Sequence, residues 1–215
     1  SSRSSLARST GISPVHHASL VDPSTHSLAL LQLLDINLSK QMIDYVVDCA
    51  ADAVDFAQGR PTLSVCQRIS RRTGLAKFTK FVTNVLTRSE VTTPIILSSL
   101  VYINRAMPHL YVVQEEWALE RVFLGALIVA SKARIAYLND SAMQNTHWAA
   151  CTGVLGKREV GIVEREFLDV LNWDLRISEE NILAHYDGVS DPGTRSPSYR
   201  RVASSSPNAD RAAHR

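Results

Sequence analysis

The stretch VFLGALIVA, Val122 to Ala130, decides how this chain folds, because it is apolar on almost every face of a helix rather than along one stripe. A helix of that kind has no side to offer to water, so it belongs at the centre with other helices around it. It falls well short of the roughly 20 apolar residues that cross a membrane. The Ser/Arg-rich start of the chain lacks the apolar stretch of a secretory leader, so neither membrane spanning nor classical secretion is expected. On both sides of this stretch apolar residues recur at i, i+3 and i+4. The period-two alternation of a half-buried strand is nowhere sustained. The expected body is all-α.

Toward the N-terminus, Thr93 offers a cap hydroxyl and Pro94 suits the first turn of a helix running to about Ala106, before Pro108. Leu75, Phe78, Val82, Val85 and Leu86 mark another helix, ending near Arg88. Ser39 is placed to cap a longer one whose apolar face is Met42, Ile43, Val46, Val47, Ala50, Ala53, Val54 and Ala57, stopped by Gly59 and Pro61. Toward the C-terminus, Asn145 is expected to cap a short helix that carries Trp148 and ends at Gly153. From about Lys157 a last helix presents Val160, Val163, Phe167 and Leu171. Short apolar segments, Leu28 to Leu34 and Ile182 to Tyr186, flank this set.

The chain has 215 residues, 45% hydrophobic and 20% charged, which suits one globular domain with tails. Residues 1–26 hold eight serines, and residues 187–215 hold six serines, three prolines and five arginines. Neither end has apolar surface enough to offset its ordering entropy, so both are expected to be disordered, leaving 27–186 as the folded domain. The formal charge of +2 comes from the ends, since residues 27–186 carry 16 Lys/Arg against 17 Asp/Glu. That balance argues against nucleic acid as partner. Inside the domain, Asp35 to Asp55 holds five acids and one base, and Phe56 to Ser89 holds seven bases and no acid. These are either two solvated faces or, for Arg68, Arg71, Arg72, Lys77 and Lys80, a docking surface for an acidic or phosphorylated partner.

No phosphate-cradling, dinucleotide-binding, zinc-helix or nucleophile-elbow motif occurs, so no enzyme and no cofactor is expected. His147 and Cys151 are one helical turn apart but have no second pair of ligands nearby, so no metal site is expected either. Cys49, Cys66 and Cys151 are odd in number and widely spaced, which reads as reduced thiols in a nuclear or cytoplasmic protein.

Four strings then carry a resemblance. LSSLVYINR (97–105), RVFLGALIVASK (121–132) followed by YLND (137–140), NTHWAACTG (145–153) and EVGIVEREFLDVLNWDL (159–175) are similar, in this order, to the successive helices of a cyclin box. The group they most resemble is the fungal phosphate-pathway (PCL-type) cyclins. The resemblance spans about residues 75–175, and the helix over 39–58 resembles the extra N-terminal helix of that group. It implies a five-helix bundle around a buried central helix. It also implies a non-catalytic regulatory subunit that pairs with a cyclin-dependent protein kinase, activates it and contributes to substrate choice. Kinase contact is implied for Lys132, at the end of ASK, and Glu164, in VEREFL, with Arg121 on the same surface. The physical sense is that such a pair holds itself together while spare lysine donors reach carbonyls at the end of a partner helix.

Two departures stand out. The chain reads YINR where cyclins commonly read YIDR, so Asn104 keeps hydrogen bonding and loses a charge. Ala133, Arg134, Ile135 and Ala136 intervene between ASK and YLND. Their helix propensity predicts a central helix about 6 Å longer rather than a loop. Ser13, Ser196 and Ser206, each before proline, are candidate phosphosites in the tails. The rival reading is a cyclin-like scaffold for nucleic acid or transcription factors. It rests on the basic run alone, where Phe78 and Phe81 fit an apolar helix face better than a base-stacking platform.

Overall fold

The computed structural model describes residues 27–61, 67, 70–71, 73–112, 116–138 and 144–190, and among these it is helical with no strand. In chain order the helices are α1 (Leu28–Leu34), α2 (Lys40–Ala57), α3 (Ala76–Ser89), α4 (Thr93–Ala106), α5 (Ala118–Leu138), α6 (Asn145–Thr152), α7 (Lys157–Val170), α8 (Glu179–Leu183) and α9 (Tyr186–Ser190). A 3₁₀ turn, Met107–His109, follows α4. The tails, with Ser13, Ser196 and Ser206, and the connector residues Arg68 and Arg72 lie outside the described residues.

Helix α5 takes the central place its composition demands. It is packed by α2, α3, α4 and α7, and Phe123, Leu124, Ala126, Leu127 and Ile128 have no exposed surface. Phe78 and Phe81 of α3 both meet the ring of Phe123 edge-on, with centroids 6.2 Å apart in each case, so the two aromatics of the basic run belong to the core. The approach of α7 is closer still. A Cβ on Gly125 would lie 2.8 Å from Cβ and Cγ of Phe167, so this crossing needs a residue without a side chain. Helix α5 also continues through residues 133–136 to Leu138, the lengthening that helix propensity predicts.

The ends of the helices hold two corrections. Thr92, not Thr93, is the N-cap of α4. Thr93 is already helical and its hydroxyl donates to the carbonyl of Ile36, tying α4 to the loop after α1. Asn145 does not cap α6 either: Gln144 is the N-cap, and the Asn145 side chain reaches elsewhere. Ser39 does cap α2, accepting from the Met42 amide at 3.2 Å. Gly153, at φ +67°, ends α6 in the left-handed conformation that glycine adopts at least cost.

After α7 the chain reverses through Asn172 and Trp173, both at positive φ, and residues 174–190 run back over the body. Tyr102 donates to the Leu175 carbonyl at 2.9 Å, and the guanidinium of Arg105 donates to the carbonyls of Asp174 and Arg176. The two short apolar segments read at the ends of the sequence meet here, with α1 packed against α8 and α9.

Candidate functional site

The later half of α5, at Lys132 and nearly two turns before the helix ends, the start of α6 and the middle of α7 converge on one polar cluster. Lys132 Nζ donates to Glu164 Oε1 at 2.7 Å, to Glu164 Oε2 at 2.6 Å and to Asn145 Oδ1 at 2.9 Å. The lysine and glutamate side chains are 29% and 18% exposed, so the cluster sits in the surface with part of each group in water. Gly161 makes room for it, since a Cβ there would stand 3.0 Å from Asn145 Nδ2. The sequence therefore paired the right lysine and glutamate and missed Asn145. The signal that could have found Asn145 is its place at the first turn of α6, where a side chain need not point back along its own helix.

The geometry alters the chemistry expected of the pair. An ammonium has three hydrogens, and three acceptors surround this one. Lys132 has no spare donor for a partner unless Asn145 lets go. Glu164, with two further lone-pair sites, can still accept from partner N–H groups. The cluster is therefore a net-neutral acceptor surface. Arg121 forms a separate ion pair with Glu166 on α7, and Arg165 is exposed.

The basic run, read as either a solvated face or a docking surface, is partly used internally. Arg71 donates from one guanidinium to both Asp52, at 2.9 Å, and Asp55 of α2, and Arg60 pairs with Asp55 at 2.6 Å. The acidic and basic blocks thus neutralise one another where Arg71 is concerned, and it is not a free anion ligand. Lys77 and Lys80 are exposed on α3. His147 Nε2 and Cys151 Sγ are 3.4 Å apart, and among the described residues no three His, Cys, Asp or Glu are grouped to hold a metal ion. Burial raises the Cys151 thiol above its ordinary range, with Arg88 opposing the shift.

Asn104 has a role that its position in YINR did not disclose. Its Nδ2 lies 3.2 Å from Nε2 of His185, whose Nδ1 lies 2.9 Å from the Tyr45 hydroxyl. His185 is 1% exposed, and burial lowers its pKa to about 4. The three polar residues of YINR, at Tyr102, Asn104 and Arg105, all serve the segment that follows α7.

A buried central helix α5, with α3, α4 and α7 packed on it and α6 laid against α3 and α7, is the helical body expected of a cyclin box. Residues 60–176 match the family described as Cyclin, N-terminal domain, and the chain belongs to the cyclins. Its similarity extends to particular members of the PCL-type group in Saccharomyces cerevisiae. It is 32% identical to PHO85 cyclin-9 over 160 residues, which is 72% of this chain and 48% of that protein. It is 32% identical to PHO85 cyclin-2 over 158 residues, again 72% and 48%. To PHO85 cyclin-1 it is 28% identical over 171 residues, 78% of this chain and 59% of that protein. The chain thus spans about half the length of the curated relatives it matches. No solved structure matches it.

Proposed function

We propose that the protein is a non-catalytic regulatory subunit that binds and activates a cyclin-dependent protein kinase of the kind served by its PHO85 cyclin relatives, and that it helps to select that kinase's substrates. The observation that carries this reading is the Lys132–Glu164–Asn145 cluster, built by three helices of a cyclin box and left part-exposed where an ordinary structural ion pair could have been placed anywhere. In this reading the kinase crosses α2, the part of α5 around Lys132, and α7. Glu164 accepts donors from the kinase, and Lys132 exchanges Asn145 for a carbonyl at the end of a kinase helix, where the helix dipole favours a cation. Arg121 and Glu166 border the same face. A nuclear or cytoplasmic site of action goes with this role.

The test is to mix the purified protein with PHO85 and measure phosphotransfer and affinity. The mixture should phosphorylate a proline-directed peptide faster than the kinase alone, and the protein alone should be inactive. Lys132→Ala and Glu164→Ala should each weaken binding at least 10-fold while Tm changes by only a few degrees. Loss of binding in proportion to loss of Tm would make the pair a folding element, and absence of binding by the unaltered chain would refute the assignment.

A further inference from the structure

The segment after α7 is fastened to the body by apolar contacts of Leu175, Ile177, Ile182, Tyr186 and Val189 and by polar groups, most of which aim at its backbone. Tyr102 and Arg105 bond the carbonyls of residues 174–176, and Gln41 Nε2 of α2 donates to the Val189 carbonyl at 3.0 Å. His185 differs, because it gives its own side chain to two helices at once, α2 through Tyr45 and α4 through Asn104. The fit around it is close: a Cβ on Gly188 would lie 2.2 Å from the Tyr45 ring.

We propose that Tyr45, His185 and Asn104 form a lock that fastens residues 174–190 to α2 and α4, and that, because the ring is buried, this lock favours an uncharged imidazole.

A neutral imidazole has one donor and one acceptor, which matches a hydroxyl on one side and an amide on the other. With Asn104 Nδ2 donating to Nε2, Nδ1–H donates to the tyrosine oxygen. With the amide turned over, its otherwise unpartnered buried Oδ1 accepts from Nε2–H and the tyrosine hydroxyl donates to Nδ1. Each arrangement satisfies the ring without charge. An imidazolium would offer two donors, which the tyrosine oxygen and the turned-over Asn104 Oδ1 can accept, so what disfavours the charge is burial: the ring is 1% exposed and both of its bonded neighbours are neutral. Burial is what lowers its pKa, and the charged groups on the elements packed around it are Asp44 and Asp48 of α2, Arg105 of α4, and Glu179 and Glu180 of α8.

The sign follows from linkage. The closed lock holds a base whose pKa is below its open value of about 6.5, so the stabilisation is complete above that pH and is lost as pH falls toward about 4. Between those limits the ratio of open to closed segment should rise roughly 100-fold. The inference concerns the chain alone and does not depend on a kinase.

Hydrogen exchange of the whole chain from pH 7.5 to 4.5, corrected for the intrinsic pH dependence of exchange, tests it. The peptide covering 178–190 should lose protection by roughly 100-fold as pH falls, while the peptide covering 122–130 of α5 keeps its own. Asn104→Asp places a carboxylate beside Nε2, where it favours the imidazolium, and should flatten this response. If 178–190 opens only together with α5, or keeps full protection to pH 4.5, the lock is refuted on the unaltered chain. A response in Asn104→Asp identical to that of the unaltered chain would refute the part assigned to the neutral ring.

Discussion

Helix α5 meets α7 through Gly125 and Phe167, whereas residues 174–190 meet the same body through Tyr102, Asn104, Arg105 and Gln41. The first contact is apolar, close-packed and fully removed from water, so its strength comes from burial and dispersion, which vary little with pH. The second combines apolar contacts of residues such as Ile182, Tyr186 and Val189 with directed bonds, one of them to a titratable ring. Each such bond nets only about 1 kcal/mol because water would have bonded the same groups. The two regions should therefore differ in how they answer to pH.

The strongest way to break this contrast is to attack the first region. Phe123→Ala removes a ring held edge-on by Phe78 and Phe81 and should cost about 3–5 kcal/mol, read as a large fall in Tm with 178–190 and α5 losing exchange protection together. Gly125→Ala should cost about 1–3 kcal/mol, because the new methyl group must displace Phe167 from α7. Loss of kinase binding in that variant would track the displacement of Glu164 on the same helix. If Gly125→Ala were neutral in Tm, the closeness of the crossing would be refuted.

The second region should answer with smaller and local effects. Tyr102→Phe deletes the bond to the Leu175 carbonyl and should cost about 1 kcal/mol, raising exchange in 174–190 more than in α5. Smallest of all is Arg176. Asp174 titrates below the usual carboxylate range, first through the Arg176 amide and then through its guanidinium. Arg176→Ala should therefore raise the Asp174 pKa part of the way and no further, as followed by carboxyl NMR shifts. Because a lowered carboxylate pKa favours the fold above the usual range and that help fades as pH falls, the variant should lose slightly less on acidification.

These regions were also unequally legible. The position of α5 could be read from VFLGALIVA, and the helix faces from residues such as Val46, Val82 and Val163, because burial is written in residue type and period. Lys132 and Glu164 were reached only through motif order. Nothing in their spacing, 32 residues apart, brings them together, and the fold does. Asn145 and Thr93 were assigned to caps because that is the local use of such residues, and tertiary contacts with Lys132 and Ile36 took them instead. His185 was read as part of a short apolar segment. A histidine among apolar neighbours has no sequence signature that tells which two helices will supply its partners. The basic run showed its charges plainly, but only the fold shows that Arg71 faces Asp52 and Asp55 rather than solvent.

The pairing of Lys132 with both Glu164 and Asn145 has a consequence for how any docking event there would respond to its surroundings. The cluster approaches a partner as a dipole with no net charge, so it adds little to attraction at a distance and releases few counterions on contact. What changes on docking is which acceptor holds one lysine hydrogen. Such an exchange depends on atoms meeting within a few tenths of an ångström. Raising the salt concentration should therefore scarcely loosen an interface centred on this cluster, while a small misplacement of α6 would.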